Sequence, residues 1–207
     1  MTEILNIGVL VSGSGSNLQA IIDRIEDGTL NARITCVITN NPDAYARERV
    51  ARHGIPCIVL NHRDFAGREA YDAALVETLC AHDVRLVVLA GFMRIITPVL
   101  LGAFPHSVMN IHPALLPAFP GLHAQRQAIE YGVKIAGCTV HFVDEGTDTG
   151  PIIVQASVPV LDNDSEDSLA ARIQVEEHRI YPEAIRLFSE GRLRVEDRRV
   201  SVLPPKE

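Results

Sequence analysis

The sequence predicts a three-layer α/β protein: a mostly parallel, twisted sheet of about seven strands with helices on both faces. Three observations carry this. Short apolar runs rich in β-branched residues alternate with stretches whose apolar residues recur at helical spacing. A Gly/Ser loop separates the first strand from the first helix. The 207 residues suit one core, large enough to fold without disulfide staples.

The elements follow in order. Residues 4–11 are almost continuously apolar, as in a strand covered on both faces. Ser12 to Ser16 form the loop. From Asn17 to Glu26, Leu18, Ile21, Ile22 and Ile25 make a helical stripe that Gly28 stops. Residues 33–39 are a second strand, 44–53 a second helix ended by Gly54, and 57–60 a short third strand. Residues 68–82 are helical, with Tyr71, Leu75, Leu79 and Cys80 on or near one face. Residues 86–90 are a fourth buried strand. Thr97-Pro98 reads as an N-cap followed by a first helical residue, where proline loses no donor, and that helix ends near Phe104. Residues 108–111 form the fifth strand, 114–121 a loop with two prolines, and 124–131 a helix. Residues 136–143 and 152–160 pair across the polar loop 144–150. Asp164 or Ser165 caps a long helix to about Ser189, which Pro182 should kink or split. A charged tail follows, with room for a short edge strand.

Composition narrows the class. Apolar residues make up 47% and charged residues 22%, as in ordinary globular proteins. No apolar run approaches the roughly 18 residues of a membrane helix. Met1-Thr2-Glu3 is acidic and enters a strand directly, unlike a signal peptide, so a cytoplasmic protein without membrane partners is expected. The net charge of −7 argues against nucleic acid, which needs a basic footprint. An anionic small substrate stays open, because a helix terminus can outweigh global charge. Cys36, Cys57, Cys80 and Cys138 form no metal or redox spacing and read as reduced core thiols.

Ligands of such sheets bind beyond the carboxyl ends of the strands, where the strand order reverses. The loops 12–17, 91–96 and 110–117 should gather there. In the first, Gly13 and Gly15 permit close backbone approach, and the helix start presents N–H groups and a positive dipole end. The loop lacks the Gly-Lys-Ser/Thr of a nucleotide P-loop. Leu18 stands where a dinucleotide fingerprint has its third glycine, and Asn40-Asn41 replace the acid that would hold a ribose. A lone monophosphate fits better; a ligand-free tight turn is the competing reading. In the last loop, Asn110 and His112 share a strand face by the period of two, and Pro113 ends the strand. An amide beside an imidazole can bind a developing oxyanion. A structural histidine is the alternative. Asp148 lies in an acidic loop that could be no more than a solvated turn, and spacing alone does not bring it to His112. His141, on a strand, reads as structural. The histidines form no zinc-type spacing, and no metal is expected.

Together, the stretches 11–21, 89–96, 110–117 and 141–153, with Glu177-His178-Arg179 in the last helix, resemble the folate-dependent phosphoribosylglycinamide formyltransferases of purine synthesis. They occur in the family's order and cover residues 5 to about 195. The resemblance implies one formyltransferase domain over 1–207, with a phosphate-binding half at about 1–105 and a folate and catalytic half at about 106–207. It implies Asn110, His112 and Asp148 as the catalytic trio. Gly15, Ser16, Asn17 and Glu177 would bind the ribotide. Arg68, Met93, Arg94, Ile95, Ile96, Asn110 and Asp144 would bind 10-formyltetrahydrofolate, the formyl donor and co-substrate. The partners implied are these two small molecules, with a monomer or homodimer as the working form. Ser14, Ala114 and Gln125 depart from the usual family residues and leave the trio untouched. Two other functions compete: a hydrolase that deformylates the folate, which would need no phosphate loop, and a noncatalytic sensor of a phosphorylated metabolite, which would need no trio.

Overall fold

The computed structural model describes residues 3–205; Met1 and Thr2 of the leader reading lie outside them. Its chain divides into two compact units, one running to Asn110 and the other starting at Ile111.

The first unit is wound around five strands: β1 (Leu5–Val11), β2 (Ala32–Thr39), β3 (Cys57–Val59), β4 (Leu86–Leu89) and β5 (Val108–His112), whose last two residues begin the second unit. They run parallel in the order β3-β2-β1-β4-β5. Ile7, Val9, Leu10, Val37, Ile38 and Leu86 are wholly buried, which explains why their strands show no polar alternation. The crossovers are α1 (Ser16–Glu26), α2 (Ala46–Arg52), α3 (Arg68–Ala81) and α4 (Pro98–Ala103). On α1, Leu18, Ile21 and Ile22 face the core. The Thr97 hydroxyl caps α4 by accepting from the Val99 amide at 3.3 Å. A Cβ at Gly8 would stand 2.5 Å from Leu79 Cδ2, so this glycine lets α3 lie directly on β1. The strand order reverses between β1 and β4, and the loops after these two strands therefore meet.

The second unit contains α5 (Ala124–Tyr131), β6 (Ile135–Phe142), β7 (Ile152–Pro159), α6 (Glu166–Ser189), β8 (Leu193–Glu196) and β9 (Arg199–Val202). β6 and β7 pair antiparallel, β9 joins β7 in parallel, and β8 lies outermost against β9. Leu169, Ile173, Ile180 and Ile185 are buried along α6, which packs on β6 and β7.

Three expectations need correction. Among the described residues there are nine strands, not seven, because the charged tail forms the β8–β9 hairpin. Each of its strands is only four residues long, too short a run for the period-two alternation to stand out from a charged tail. Pro182 does not split α6, which runs on to Ser189. Proline removes one bond, to the His178 carbonyl, and the buried Tyr181, Ala184 and Ile185 hold the helix on both sides. Finally, the cysteines are not all core thiols: Cys36 and Cys138 are buried, Cys57 is half-buried and Cys80 is exposed. Cys80 follows the buried Leu79, and one helical residue turns a side chain about 100° off the buried stripe.

Candidate active site

In the first unit, Ser12 joins three strand ends. Its hydroxyl donates to Asn40 Oδ1 at 2.6 Å and accepts from the Met93 amide at 2.8 Å. Its own amide donates to the Gly91 carbonyl at 3.1 Å. The loop after β1 is thereby fixed to the loop after β4. Between them lies a cleft of about 240 Å³ lined by Ser12 to Asn17, Ala90, Gly91 and Met93. Gly15 begins α1 with φ 69°, a left-handed conformation, and offers no capping side chain. A helix start without a side-chain cap is a ready seat for an anion.

The segment after β4 presents apolar side chains outward. Met93 is 64% and Ile95 59% exposed, while Ile96 is buried. Arg94 is half-buried. The segment is pinned from below by the buried Asp72, whose Oδ2 accepts the Thr97 amide at 2.5 Å. Burial pushes the Asp72 carboxyl up, and the Thr97 hydrogen bonds pull the other way. Arg68 opens α3 on the exposed side, one turn before Asp72, and its charge reaches that carboxylate.

Asn110 is half-buried on β5, opposite Leu89 of β4. His112, two residues on and on the same pleat face, is buried in the second unit. Its Nδ1 lies 3.3 Å from Asp148 Oδ2, and its Nε2 lies 2.8 Å from the Phe119 carbonyl. Asp148 adopts φ 55°, which asparagine and aspartate tolerate better than most residues. Its Oδ2 also accepts the Gly121 amide at 2.8 Å. The segment 119–121 therefore touches both partners: the Phe119 carbonyl holds the ring and the Gly121 amide holds the carboxylate.

His141 stands on the other side of Asp148, its Nε2 3.8 Å from Oδ1. Its Nδ1 donates to the Phe142 carbonyl at 2.9 Å. Burial is the chief influence on this ring and pushes its pKa down, against the Phe142 hydrogen bond and the Asp148 charge. Sequence reasoning gave His141 only a structural part. The signal available was its position at the head of the 141–153 motif.

Asp144 braces the Asp148 loop from within, accepting the Gly146 amide at 3.1 Å and the Thr149 hydroxyl at 2.6 Å. Glu177 is buried on α6, where its charge helps burial push the Cys138 thiol up. The structure thus joins His112 to Asp148 within the second unit, and the glycine loop to Met93 within the first. Among the described residues, no three His, Cys, Asp or Glu side chains gather as a metal-ligand set.

Comparison with known proteins identifies the lineage. Residues 5–185 match the family model described as formyl transferase. A phosphoribosylglycinamide formyltransferase of Escherichia coli K12 is 46% identical over 193 residues, which covers 93% of this chain and 91% of that protein. The trifunctional purine biosynthetic protein adenosine-3 of Drosophila melanogaster is 50% identical over 89% of this chain, yet the chain spans only 14% of its length. The crystal structure of glycinamide ribonucleotide transformylase 1 from Symbiobacterium toebii superposes with a TM-score of 0.96 at 56% identity, covering 97% of this chain and 95% of that one. By fold and by these relatives, the chain belongs to the formyl transferase family, among the phosphoribosylglycinamide formyltransferases.

Proposed function

We propose that this chain transfers the formyl group of 10-formyltetrahydrofolate to the amine of 5-phosphoribosylglycinamide, giving formylglycinamide ribonucleotide and tetrahydrofolate, in the cytoplasmic synthesis of purines. The observation that carries this reading is the pairing of buried His112, the last residue of β5 and two beyond Asn110, with the half-buried Asp148 of the β6–β7 loop.

The folate supplies the formyl carbon. Met93 and Ile95 offer exposed apolar surface that a flat pterin ring would cover, and the Asp72 grip on Thr97 keeps that surface in place. Arg94 and Ile96 complete the segment. Arg68 offers a cation to the carboxylates of the donor, and Asp144 acts by holding the Asp148 loop. Gly15, Ser16 and Asn17 seat the ribotide phosphate at the start of α1, and Glu177 contacts the rest of that substrate.

As the amine adds to the formyl carbon, the carbonyl oxygen becomes negative. The Asn110 amide and the His112 ring donate to it. With Asp148 ionised, both ring nitrogens of His112 face acceptors, Asp148 and the Phe119 carbonyl, and only the doubly protonated ring satisfies both. The reacting oxygen competes with the Phe119 carbonyl for the Nε2 proton. Asp148 keeps the ring oriented and relays, through water, the proton the amine sheds to N10 of the folate, as the bond from that nitrogen to the formyl carbon breaks, the carbonyl re-forms and tetrahydrofolate leaves. Removing one such donor typically raises a barrier by about 2.7–4 kcal/mol.

The test mixes the protein with 10-formyltetrahydrofolate and follows tetrahydrofolate release with and without 5-phosphoribosylglycinamide. Release that requires the ribotide supports the reading. Equal release without it would make the protein a hydrolase. Tight ribotide binding with no release would make it a sensor. In the active protein, His112→Ala and Asp148→Asn should bind both ligands and turn over at least about 100-fold more slowly. Near-normal turnover in either removes that residue from the mechanism.

A further inference from the structure

The peptide units of the glycine loop are turned by something outside the loop. A peptide is planar, and its C=O and N–H point in opposite directions. The Gly13 carbonyl accepts the Ala46 amide at 3.1 Å, and the Ser14 carbonyl accepts Nε–H of Arg49 at 2.8 Å. Both donors belong to α2. The N–H groups of the same two peptide units, those of Ser14 and Gly15, therefore point away from α2. The cleft lined by Ser12 to Asn17, Ala90, Gly91 and Met93 draws none of its lining from α2.

Arg49 is itself held in place. Its guanidinium carbon lies 5.0 Å from the centroid of the Tyr45 ring. Its Nη1 donates to Gln19 Oε1 at 3.4 Å, and that amide is oriented by donating from Nε2 to Asp23 Oδ1 at 2.9 Å. One arginine thus ties the glycine loop to the first turns of α1. The fit is close: a Cβ at Gly15 would stand 2.9 Å from Ala46 Cβ and 3.6 Å from Arg49 Cδ.

We infer that Arg49 is a positioning residue of the phosphate seat, holding the Ser14 carbonyl back so that the loop amides face the phosphate of the acceptor. This rests on the proposed ribotide reaction. A fixed array of N–H donors binds an anion better than a loop that must first reorganise, because the ordering cost is met on folding. The guanidinium also adds positive charge behind a loop that receives a dianion. An arginine that merely stapled α2 to the loop would affect folding and both substrates alike.

The experiment compares Arg49→Met, Arg49→Lys and, as a control on the same helix, Arg52→Met. It measures kcat, the KM of each substrate, the activity with a glycinamide riboside lacking the phosphate, and the rise in melting temperature with inorganic phosphate. Arg49→Met should raise the ribotide KM at least about tenfold, with kcat and the folate KM within about twofold. Its activity on the riboside should match the parent, Arg49→Lys should recover much of the loss by donating to the Ser14 carbonyl, and Arg52→Met should change nothing. An unchanged ribotide KM in Arg49→Met, or an equal loss on ribotide and riboside, overturns the inference. If the parent protein transfers no formyl group, the reading of the reaction fails and the phosphate melting series still decides on Arg49. A shift lost in Arg49→Met supports its role, and a shift retained overturns it.

Discussion

Asp148 has a histidine on each side, and the two rings sit in different surroundings. His112 faces oxygens at both nitrogens, whereas His141 donates from Nδ1 to a carbonyl and is held toward its neutral form by burial. The folded pKa of His141 is depressed below the ordinary value of about 6.5. The unfolded chain therefore takes up this proton first as the pH falls. The stability contributed is complete above about pH 6.5 and is lost as the pH drops from there through the lowered folded value. A His141→Asn variant should show a flatter melting-temperature profile between about pH 7 and 5 than the parent. An equally steep profile would remove His141 as the cause. Burial also pushes the Cys36 thiol up to about 11 and the Cys138 thiol up to about 12. Under native conditions an alkylating reagent should label Cys80 quickly, and Cys36 and Cys138 only on unfolding; mass spectrometry of timed samples checks this. The sequence already suggested inert core thiols, but it did not separate Cys80 from its buried neighbour Leu79. The side of a helix is read less securely at its last turn than along its middle.

At the scale of elements, the glycine loop and the start of α6 give the sharpest expectations. Gly15 holds φ 69°, and a side chain there would also press on Ala46. Gly15→Val should raise the ribotide KM far more than the folate KM, a split that steady-state kinetics reads directly. Ser165 accepts the Ser168 amide at 3.1 Å, and the Ser168 hydroxyl accepts the Ser165 amide at 2.9 Å, closing a capping box. Ser165→Ala should cost about 1 kcal/mol, which in a chain of this size lowers the melting temperature by roughly 2–4 °C. Most elements were legible because their signals are local. Thr97-Pro98 marks the start of α4, Gly28 and Gly54 stand beyond α1 and α2 with positive φ, and apolar stripes fix the buried faces. The tail hairpin was missed because its two strands are four residues each, too short for their alternation to be read securely. Pro182 misled for a different reason: the local rule about proline yields when tertiary packing grips the helix on both sides.

For the molecule as a whole, ligand binding and folding are linked. Ribotide at about 100 times its dissociation constant should add about 2.7 kcal/mol to stability, a rise of roughly 5–10 °C in melting temperature. Differential scanning fluorimetry tests this without any turnover. The candidate site was legible only in part, and the reason is topological. Asn110 and His112 are neighbours on one strand, so a period of two sufficed. Asp148 reaches His112 only because the β6–β7 hairpin folds back and its loop turns through a positive φ. No local pattern encodes that return. The clasp by Phe119 and Gly121 was equally invisible, since backbone groups carry it.

The end strands of the two units have a bearing on crowding. β3 is three residues long and β8 four. On β8, the exposed Arg194 and Glu196 pair with each other at 2.8 Å. A short, charged strand is a poor template for a foreign strand, whose backbone would find few groups to bind and two charges in its way. The net charge of −7 adds repulsion between like chains, so this rim should recruit few strands from neighbouring chains. Replacing Arg194 and Glu196 by valine would put a β-branched, uncharged ribbon at that rim. Light scattering on concentrated samples should then record growing assemblies where the parent gives a constant signal.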